Sequence, residues 1–438
     1  MSVTSQSSPR GIVIAAPSSN TGKTVFTLGL VGALIRRGVQ ANVAKGGPGY
    51  IDPQFLSLAT GRPAHNLDLW AFGDTQIQAR ASEMAKGSDL LIIEGMMGMF
   101  DGAGSMSGST ADIAATLDLP VLLLIDASGL AQSIAAIVHG FASLRSTPRV
   151  CGVVATRVGS ERHAEILREA LAEIETPFLG AVLRSEDLTI PSRHLGLLQA
   201  SEVQDIEQLA ADAADAVSAG INLDALIAET TPILSRPEPR RLPPLGQRIA
   251  VADDVAFAFA YPHILEDWRA QGAEIIPFSP LANAAPAADC DAIYLPGGYP
   301  ELHCETLAHA DQFLRGLRNA ASRGALIYGE CGGFMVMGQA LIDANGTAHA
   351  MAGLLDHVTS FARREMHLGY RHLTPHHPFL GTGPLRGHEF HYSCLEDAGS
   401  DAPLFDCQEA KGTDLGPAGG QRGSVLGSYM HLIDQAPV

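Results

Sequence analysis

Short apolar runs that alternate with helical patterns constrain the fold of the N-terminal half more than any other feature of this sequence. The first run is followed by a Gly/Ser turn and a predicted helix over residues 24–37. The predicted buried strands are residues 11–16, 39–44, 89–93, 120–125 and 150–155. Strands that are apolar along nearly their whole length, and that alternate with helices, are typical of a parallel sheet with helices on both faces. The N-terminal half is therefore predicted to be an α/β domain.

A change in composition near residue 240 predicts a boundary between two domains. The segment 235–247, SRPEPRRLPPLGQ, contains four prolines and shows neither a strand nor a helix pattern, as is typical of a linker. After it, strands are predicted at 248–252, 292–295 and 324–328. The length of 438 residues favours two domains. The predicted organisation is a first domain over 1–234, the linker, and a second α/β domain over 248–438.

The composition argues against several classes of protein. The formal net charge is −18, whereas binding to nucleic acid or an anionic membrane requires a basic face. No apolar run approaches the roughly 20 residues of a membrane span, and the first residues lack the apolar core of a signal peptide. The six cysteines are scattered and include no CxxC pair, a pattern that is typical of proteins in the reducing cytosol. We therefore expect a cytoplasmic protein with neither a nucleic-acid nor a membrane partner.

The stretch SSNTGKT, residues 18–24, follows the first predicted strand and opens the first predicted helix. A helix start offers backbone N–H groups and a positive dipole end to phosphate. Lys23 can reach the outer phosphates, and the Thr24 hydroxyl can hold Mg²⁺. Pro17 stands where the full pattern has glycine, so this is a variant P-loop, and an ordinary strand–helix turn is the alternative. The predicted nucleotide-binding residues are Asn20, Thr21, Gly22, Lys23, Thr24 and Lys45.

Carboxylates for a metal ion are predicted in LLIIEGMMGMFDG, residues 90–102, where a buried strand ends at Glu94 and Asp101 follows on a loop. Carboxylates at the carboxyl end of a parallel strand lie beside the phosphate loop in such sheets. Mg²⁺ takes one or two carboxylates together with phosphate oxygens and water. Glu94 is the predicted metal ligand beside Thr24. Asp101 is a candidate either for contacting the groups that hold the metal or for contacting the substrate.

The stretch YGECGGF, residues 328–334, places Cys331 in a G-x-C-x-G pattern after a predicted strand. This is the thiol version of a nucleophile elbow, in which a sharp strand-to-helix turn lifts the nucleophile out of the sheet. The helix start behind the thiol is expected to lower its pKa and favour the thiolate. The backbone N–H of Gly332 is a predicted oxyanion donor.

A base and a second oxyanion donor are predicted from two other segments. His431 lies in SYMHL, residues 428–432, and only the fold could bring it to the thiol. In LPGGYPE, residues 295–301, another strand ends at Gly297 and Gly298, and Gly298 is the predicted second donor. The alternative is that Cys331 is simply a small core residue. The three segments together indicate a thiol nucleophile.

Both halves of the sequence resemble known families. The C-terminal half resembles class I glutamine amidotransferase domains, and the N-terminal half resembles the ATP-dependent dethiobiotin-synthetase-like fold. Together, in this order, they resemble the family of cobyrinic or hydrogenobyrinic acid a,c-diamide synthases over nearly the whole chain. The motifs that carry the resemblance are GPGYIDP (47–53), EGMMGMFDG (94–102), RVGSERH (157–163), RHLGL (193–197), GGYPELH (297–303), HLGYR (367–371) and RGHEFHYS (386–393).

The resemblance implies a ligase of cobalamin biosynthesis that uses ATP, Mg²⁺ and L-glutamine to amidate the a and c carboxylates of a corrin ring. It implies that Cys331 is the nucleophile and His431 its partner. It also implies that Lys23 and Thr24 bind ATP with Mg²⁺, while Glu94 and Asp101 belong to the synthetase site. A homodimer is among the assemblies that the resemblance allows.

Three departures from the family pattern are visible. Many glutaminases have an acid two positions after the histidine, but here that residue is Ile433, so a Cys–His dyad is expected. Another group, such as a backbone carbonyl, would then orient the ring of His431. Gly49 stands where the family usually has Asp, and Thr156 where it tends to have Asn.

A polyanionic corrin on a chain of charge −18 requires a local basic patch. Solvated surface arginines are the alternative for each basic candidate. The arginines considered are Arg62, Arg157, Arg363, Arg364, Arg371 and Arg386. The substrate-side candidates are Tyr50, Asp52, Asp101, Arg364 and Arg386.

Other functions share parts of this pattern. An ATP-driven switch or partitioning protein has the P-loop fold, but would give Cys331 and His431 no task. A third interpretation is a glutamine sensor with an inactive synthetase half. A fourth is a glutaminase and ATPase that acts on the carboxylate of another tetrapyrrole. The residues do not distinguish cobalt-free from cobalt-containing corrins, although the resemblance to enzymes of the aerobic pathway favours the cobalt-free ring.

Overall fold

In the computed structural model, the apolar runs of the N-terminal half form the predicted parallel sheet. The structure describes residues 8–104, 108–190, 192–193, 196–378, 381 and 383–437. The motif RHLGL therefore lies partly outside the described residues. The chain divides into an N-terminal unit, Met1–Arg240, and a C-terminal unit, Arg241–Val438.

The main sheet of the N-terminal unit has the strand order β3-β2-β4-β1-β5-β6-β7, and all of these neighbours are parallel. The strands of this unit are β1 (Arg10–Ala15), β2 (Ala41–Gly46), β3 (His65–Leu67), β4 (Leu90–Glu94), β5 (Val121–Asp126), β6 (Val150–Val158), β7 (Phe178–Leu183), β8 (Ser192–Arg193), β9 (Gly196–Leu197) and β10 (Thr231–Pro232). Its helices are α1 (Lys23–Arg36), α2 (Asp52–Thr60), α3 (Leu69–Ala85), α4 (Thr110–Leu117), α5 (Ile134–Ser143), α6 (Glu161–Leu171), α7 (Ile206–Gly220) and α8 (Leu223–Glu229).

The parallel sheet is buried on both faces, as its apolar strands require. Ile12, Val13 and Ile14 point alternately to the two faces of β1, and none of them is exposed. The central position of β1 follows from its pairing with β4 on one side and β5 on the other. Because the strands are parallel, their carboxyl ends meet at one edge, where the loops after β1, β2 and β4 come together.

The C-terminal unit contains a second, mostly parallel sheet with the order β12-β11-β13-β14-β24-β23. Its strands are β11 (Arg248–Ala252), β12 (Glu274–Phe278), β13 (Ala292–Leu295), β14 (Leu326–Glu330), β15 (Ala340–Ile342), β16 (Ala348–Ala350), β17 (Val358–Ser360), β18 (His367–Pro375), β19 (Leu385–His391), β20 (Cys394–Asp397), β21 (Phe405–Glu409), β22 (Asp414–Ala418), β23 (Gly420–Arg422), β24 (Val425–Ser428) and β25 (His431–Gln435). Its helices are α9 (Pro262–Ala270), α10 (Cys304–Ala308), α11 (Asp311–Ser322) and α12 (Gly332–Met337).

Two further sheets complete the C-terminal unit, and the sequence analysis did not predict them. One has the order β16-β15-β17-β20, and the other is antiparallel with the order β22-β21-β18-β19-β25. In β18, buried Tyr370 and Arg371 sit among half-buried and exposed neighbours, so this strand lacks the continuous apolar run of the parallel sheets. Its sequence signal is correspondingly weak.

The predicted element bounds differ from the observed ones by a few residues. The strand predicted over 39–44 is β2, which starts at Ala41 because Gly38 (φ 84°) turns the chain after α1. The strand predicted over 324–328 is β14, which starts at Leu326 after a turn at Gly324 (φ 81°). In both cases a glycine in the left-handed region ends the preceding helix and delays the strand.

The proline-rich segment 235–247 has no helix or strand in the described chain, and the division between the units falls within it, after Arg240. Its first part is fixed to the N-terminal unit, because the Arg240 backbone exchanges hydrogen bonds of 2.6 and 2.9 Å with the Gln76 amide. Its second part is fixed to the C-terminal unit by the Arg241 guanidinium, 2.9 Å from Asp267. Among the described residues, no helix combines the length and the apolar character needed to cross a membrane.

Candidate functional site

The phosphate loop of the N-terminal unit connects β1 to α1. Gly22 adopts the left-handed conformation (φ 83°) directly before the first helical residue, Lys23, and so turns the loop over the helix start. The Lys23 ammonium donates to the carbonyls of Ser18 (3.1 Å) and Met97 (2.7 Å). Burial, followed by the charge of Lys45, lowers the pKa of Lys23 to about 8. The helix start and this lysine thus face the same loop.

A buried carboxylate stands beside the phosphate loop at the end of β4. Glu94 is completely buried, and its Oε1 accepts from the Thr24 hydroxyl (3.0 Å) and the Lys45 ammonium (2.7 Å). Lys45 also forms an ion pair of 2.6 Å with Asp52. Burial alone would lower the pKa of Lys45, but the Asp52 and Glu94 carboxylates outweigh burial and raise it. Lys45 is therefore a fixed positive charge between two carboxylates.

The second carboxylate oxygen of Glu94, Oε2, is buried and has no hydrogen-bond partner among the described residues. A buried, unpartnered carboxylate oxygen is costly unless a cation satisfies it. Its neighbour Thr24 supplies a hydroxyl, and oxygen ligands of these two kinds are those that Mg²⁺ prefers. Thr24 and Glu94 therefore fit a magnesium site.

The other candidates of the N-terminal unit lie around the same loops. Asp101 is exposed, and its Oδ2 accepts from the Gly98 N–H (2.8 Å), so it closes the loop after β4. Tyr50 is half-buried between β2 and α2. A Cβ added to Gly49 would lie 3.6 Å from Asp52 Oδ2 and 3.8 Å from Lys45 Cε, so a side chain has room there.

A cavity of about 820 Å³ extends from the phosphate loop along the sheet edge. One part is lined by the loop and by Lys45 and Asp52, while apolar residues such as Leu183 and Ile190 line another part. The Thr156 hydroxyl donates to the carbonyl of Thr21 (3.2 Å), which ties β6 to the phosphate loop. Its size and its mixed polar and apolar lining suit a nucleotide.

The nucleophile elbow of the C-terminal unit joins β14 to α12. Cys331 has φ 46° and ψ −104°, a strained conformation for a residue with a side chain. A Cβ on Gly333 would overlap the Leu295 carbonyl oxygen, and one on Gly329 would overlap Met337 Sδ. The two glycines therefore permit the close approach that forces Cys331 into this turn.

The two predicted oxyanion donors lie next to each other beside the thiol. A Cβ on Gly332 would lie 3.0 Å from the Gly298 nitrogen, and the Gly332 N–H acts to lower the pKa of the Cys331 thiol. The Gly297 carbonyl accepts from the Phe259 N–H (2.9 Å). In a trans peptide the carbonyl and the following N–H point in opposite directions, so the Gly298 N–H is turned away from Phe259.

The predicted base, His431, reaches the thiol across Gly297. A Cβ on Gly297 would overlap the His431 ring and would lie 3.2 Å from Cys331 Cβ, so both side chains converge on this glycine. His431 is completely buried at the start of β25, and the nearby backbone of Phe259 acts to raise the pKa of its ring. Phe259 therefore holds Gly297 and lies beside His431, a placement that sequence reasoning missed because it involves only the Phe259 backbone.

The expected thiolate is a point on which the sequence analysis was wrong. Burial raises the pKa of the Cys331 thiol far above its usual value, although the Gly332 N–H acts in the opposite direction. Burial, followed by the charges of His388 and His391, lowers the pKa of His431 to about 3. A short helix start cannot offset the loss of water around a thiol that is only 3% exposed. The pair therefore rests as neutral thiol and neutral imidazole.

A residue that the sequence analysis did not predict, Glu330, lies between the two catalytic segments. It accepts hydrogen bonds from the hydroxyls of Tyr294 (2.7 Å) and Tyr328 (3.0 Å) and from the Leu432 N–H (3.1 Å). Its Oε2 lies 4.0 Å from His431 Nδ1. The available signal was its position directly before Cys331 in the motif.

The arginine candidates have different surroundings. Arg371 is buried and forms an ion pair of 2.7 Å with Glu389, whose other oxygen lies 2.9 Å from His391 Nε2, so it belongs to an internal network and not to a surface patch. Arg157 is paired with Asp126 (2.6 Å) at the nucleotide cavity. Arg364 is exposed in the loop before β18.

Arg386 is half-buried on β19. Together with Arg364 it belongs to the C-terminal unit, whereas Tyr50, Asp52 and Asp101 belong to the N-terminal unit. Within either unit taken alone, the structure does not assemble all five substrate-side candidates.

Comparison with known proteins places both units in described families. Residues 12–198 match the CobQ/CobB/MinD/ParA nucleotide binding domain, and residues 248–437 match the CobB/CobQ-like glutamine amidotransferase domain. The chain is 49% identical over 424 residues to the hydrogenobyrinate a,c-diamide synthase of Rhizobium meliloti (strain 1021), covering 97% of this chain and 99% of the relative. It is 50% identical to the enzymes of the same name from a Sinorhizobium species and from Brucella anthropi, again over 97% of this chain and 99% and 98% of the relatives. The chain therefore belongs to the hydrogenobyrinate a,c-diamide synthase family.

Proposed function

We propose that this chain uses ATP and L-glutamine to convert two carboxylates of hydrogenobyrinate, a and c, into amides. The observation that carries the proposal is the presence of two complementary sites in one chain, a phosphate loop with a buried carboxylate and a thiol elbow with a buried histidine. The names of the relatives, which match along nearly the full length, support hydrogenobyrinate as the substrate. These names also favour the cobalt-free ring over a cobalt-containing one.

The N-terminal unit activates the carboxylate. A carboxylate does not react with ammonia directly, because an oxide would have to leave, so ATP first transfers its terminal phosphoryl group to give an acyl phosphate. Lys23 and the N–H groups at the start of α1 stabilise the charge on the transferred group. Mg²⁺ held by Thr24 and Glu94 would neutralise phosphate charge. Ammonia then displaces phosphate and leaves the amide.

The C-terminal unit supplies the ammonia. The Cys331 thiol gives its proton to His431 while the sulfur attacks the amide carbon of glutamine. The N–H groups of Gly298 and Gly332 stabilise the oxyanion that forms. His431 then protonates the leaving ammonia, and water hydrolyses the thioester to glutamate.

The formal net charge of −18 and the cysteine pattern support a cytoplasmic enzyme that acts without a nucleic-acid or membrane partner. A homodimer is the assembly we propose to test, by measuring the mass of the particle in solution.

Mass spectrometry of the corrin tests the proposed function. Hydrogenobyrinate is incubated with the chain, ATP, Mg²⁺ and glutamine, and each conversion should lower the mass by the difference between OH and NH₂. We expect two successive conversions, each dependent on ATP. An unchanged corrin together with ATP hydrolysis that needs no corrin would instead support an ATP-driven switch.

A further inference from the structure

The strand β25 carries His431 but has no acid two positions after it, where many other glutaminases have one. That position is Ile433, which is completely buried in the apolar interior. The neighbouring β14 brings a carboxylate instead, because Glu330 is the last residue of this strand and directly precedes Cys331. Its Oε2 lies 4.0 Å from His431 Nδ1.

Glu330 is built into the site from several sides. Tyr294 on β13 and Tyr328 on β14 donate to its two oxygens, and the Leu432 N–H on β25 donates to Oε1. Because Leu432 follows His431 directly, the same carboxylate fixes the backbone beside the base and the backbone beside the nucleophile. Only 1% of Glu330 is exposed, so water does not screen its charge from the ring.

The chemistry of the pair shows what such a carboxylate can do. Cys331 and His431 rest as neutral groups, so each turnover must create an ion pair: the S–H bond breaks, an N–H bond forms on the imidazole, and thiolate and imidazolium result. A negative charge close to the imidazolium favours this step. The same negative charge does not stabilise the resting state to this extent, because the neutral imidazole carries no positive charge.

We infer that Glu330 is a positioning residue for His431 and replaces the acid that Ile433 displaces. Its carboxylate orients the strand that carries the ring and stabilises the imidazolium formed when His431 takes the thiol proton. Glu330 takes up no proton in the cycle, since the imidazolium passes its proton to the leaving ammonia. The inference rests on the proposed roles of Cys331 and His431.

The ionisation of Glu330 makes glutamate release dependent on pH. Burial raises the pKa of Glu330 to about 7, although the hydrogen bonds from Tyr294, Leu432 and Tyr328 oppose the rise. Glu330 supports the imidazolium only when ionised, so its contribution is present above about pH 7 and is lost as the pH falls through that value. The other charged or titratable groups that act on His431 are His388, His391 and Glu389 of β19. Burial holds the pKa of His388 at about 3 and lowers that of His391, while Glu389 stays ionised beside Arg371.

Glutamate release by the full-length chain, measured against pH for the wild type and Glu330→Gln, tests the inference. Glutamine has nearly the same shape and can still accept hydrogen bonds, but it carries no charge. We expect kcat to fall on the order of 100-fold with little change in the KM for glutamine. We also expect that the activity of Glu330→Gln, unlike that of the wild type, does not fall as the pH is lowered through 7. Amide synthesis from added ammonium chloride reports whether the whole chain is folded.

A second variant, Tyr294→Phe, keeps the carboxylate and removes one hydrogen bond to its ionised form. Removing that bond raises the pKa of Glu330, so activity should begin to fall at a higher pH than in the wild type. An equal kcat for Glu330→Gln and the wild type would overturn the inference. The inference would also be overturned if kcat were lowered while both variants kept the loss of activity at low pH seen in the wild type. That result would show that Glu330 is only structural. If Cys331→Ser keeps its glutaminase activity, the proposed function of the thiol fails, and that result is separate from the outcome for Glu330.

Discussion

At the scale of single residues, the two units assign separate tasks to Cys331 and Lys23. In the proposed mechanism Cys331 serves the glutaminase alone, so Cys331→Ser should abolish glutamine-dependent amidation and leave synthesis from ammonium chloride intact. Amide formation with each nitrogen source is the measurement. Cys290→Ser, which changes another buried thiol of the same unit, is the matched control and should keep both activities. Loss of both activities in Cys331→Ser would contradict the two-site account.

Lys23→Ala should have the opposite effect. Without the ammonium group beside the phosphate loop, charge on the transferred phosphoryl group is not stabilised, so no acyl phosphate forms and neither nitrogen source supports amidation. Glutamate release measured without corrin should continue, because the thiol lies in the other unit. Amidation from ammonium chloride by Lys23→Ala at the wild-type rate would contradict the role of Lys23.

The carboxylate next to Lys45 offers a test of the Gly49 departure. In this chain Asp52 supplies that carboxylate, and the space beside Gly49 would admit another within reach of the Lys45 ammonium. We expect Asp52→Asn to lower the rate of ATP-dependent amidation about 10- to 100-fold, the effect of losing roughly 1–3 kcal/mol from a charged contact. Gly49→Asp added to Asp52→Asn should restore part of that rate. A double variant as slow as Asp52→Asn would show that position 49 cannot replace Asp52.

The positions of the phosphate loop and the elbow in the fold were predictable because their signals are local in sequence. The phosphate loop and the elbow each occupy a few consecutive residues with characteristic glycines. The proximity of Glu330 and Phe259 to His431 was not predictable, because the three residues lie in separate segments that only the fold brings together. The thiolate expectation failed because burial, which decides the pKa of Cys331, depends on the whole fold. Arg371 was a candidate for the basic patch, because the sequence does not show that its partner, Glu389, lies on the neighbouring strand.

At the scale of secondary-structure elements, the elbow depends on the close approach of α12 to β13. A methyl group added at Gly333 would overlap the Leu295 carbonyl, so Gly333→Ala should destabilise the C-terminal unit by about 1–3 kcal/mol and reduce glutamate release. Thermal unfolding and glutaminase assays measure the two effects. Gly383→Ala is the matched control, because a Cβ there meets no atom of the described residues within 4 Å. Equal melting temperatures for Gly333→Ala and the control would contradict this account of the turn.

The parallel sheets were predictable as elements, whereas the antiparallel sheet was not. Strands such as β1 are buried along their length and therefore apolar throughout, so composition alone reveals them. The strands β18 and β21 mix buried and exposed residues, β19 has the charged Glu389 at a buried position, and β22 has no buried residue. This sheet also includes β25, which pairs with β19, and such a long-range partner cannot be inferred from a local pattern.

At the scale of the whole molecule, the proposed function requires that the two units couple two reactions through ammonia. The sequence predicted this division of labour from the two motif sets, and the length of the match to named relatives supports it. The central claim is that the amide nitrogen of glutamine becomes the amide nitrogen of the corrin. It can be tested by following that nitrogen atom directly.

The measurement is the mass of the corrin product formed from hydrogenobyrinate, ATP, Mg²⁺ and glutamine with an isotopically labelled amide nitrogen, in the presence of unlabelled ammonium chloride. The account predicts that the wild type forms a diamide that carries the label in both new amides. It also predicts that Cys331→Ser forms a diamide without label. A wild-type product without label, or an amide that forms without ATP, would contradict the account.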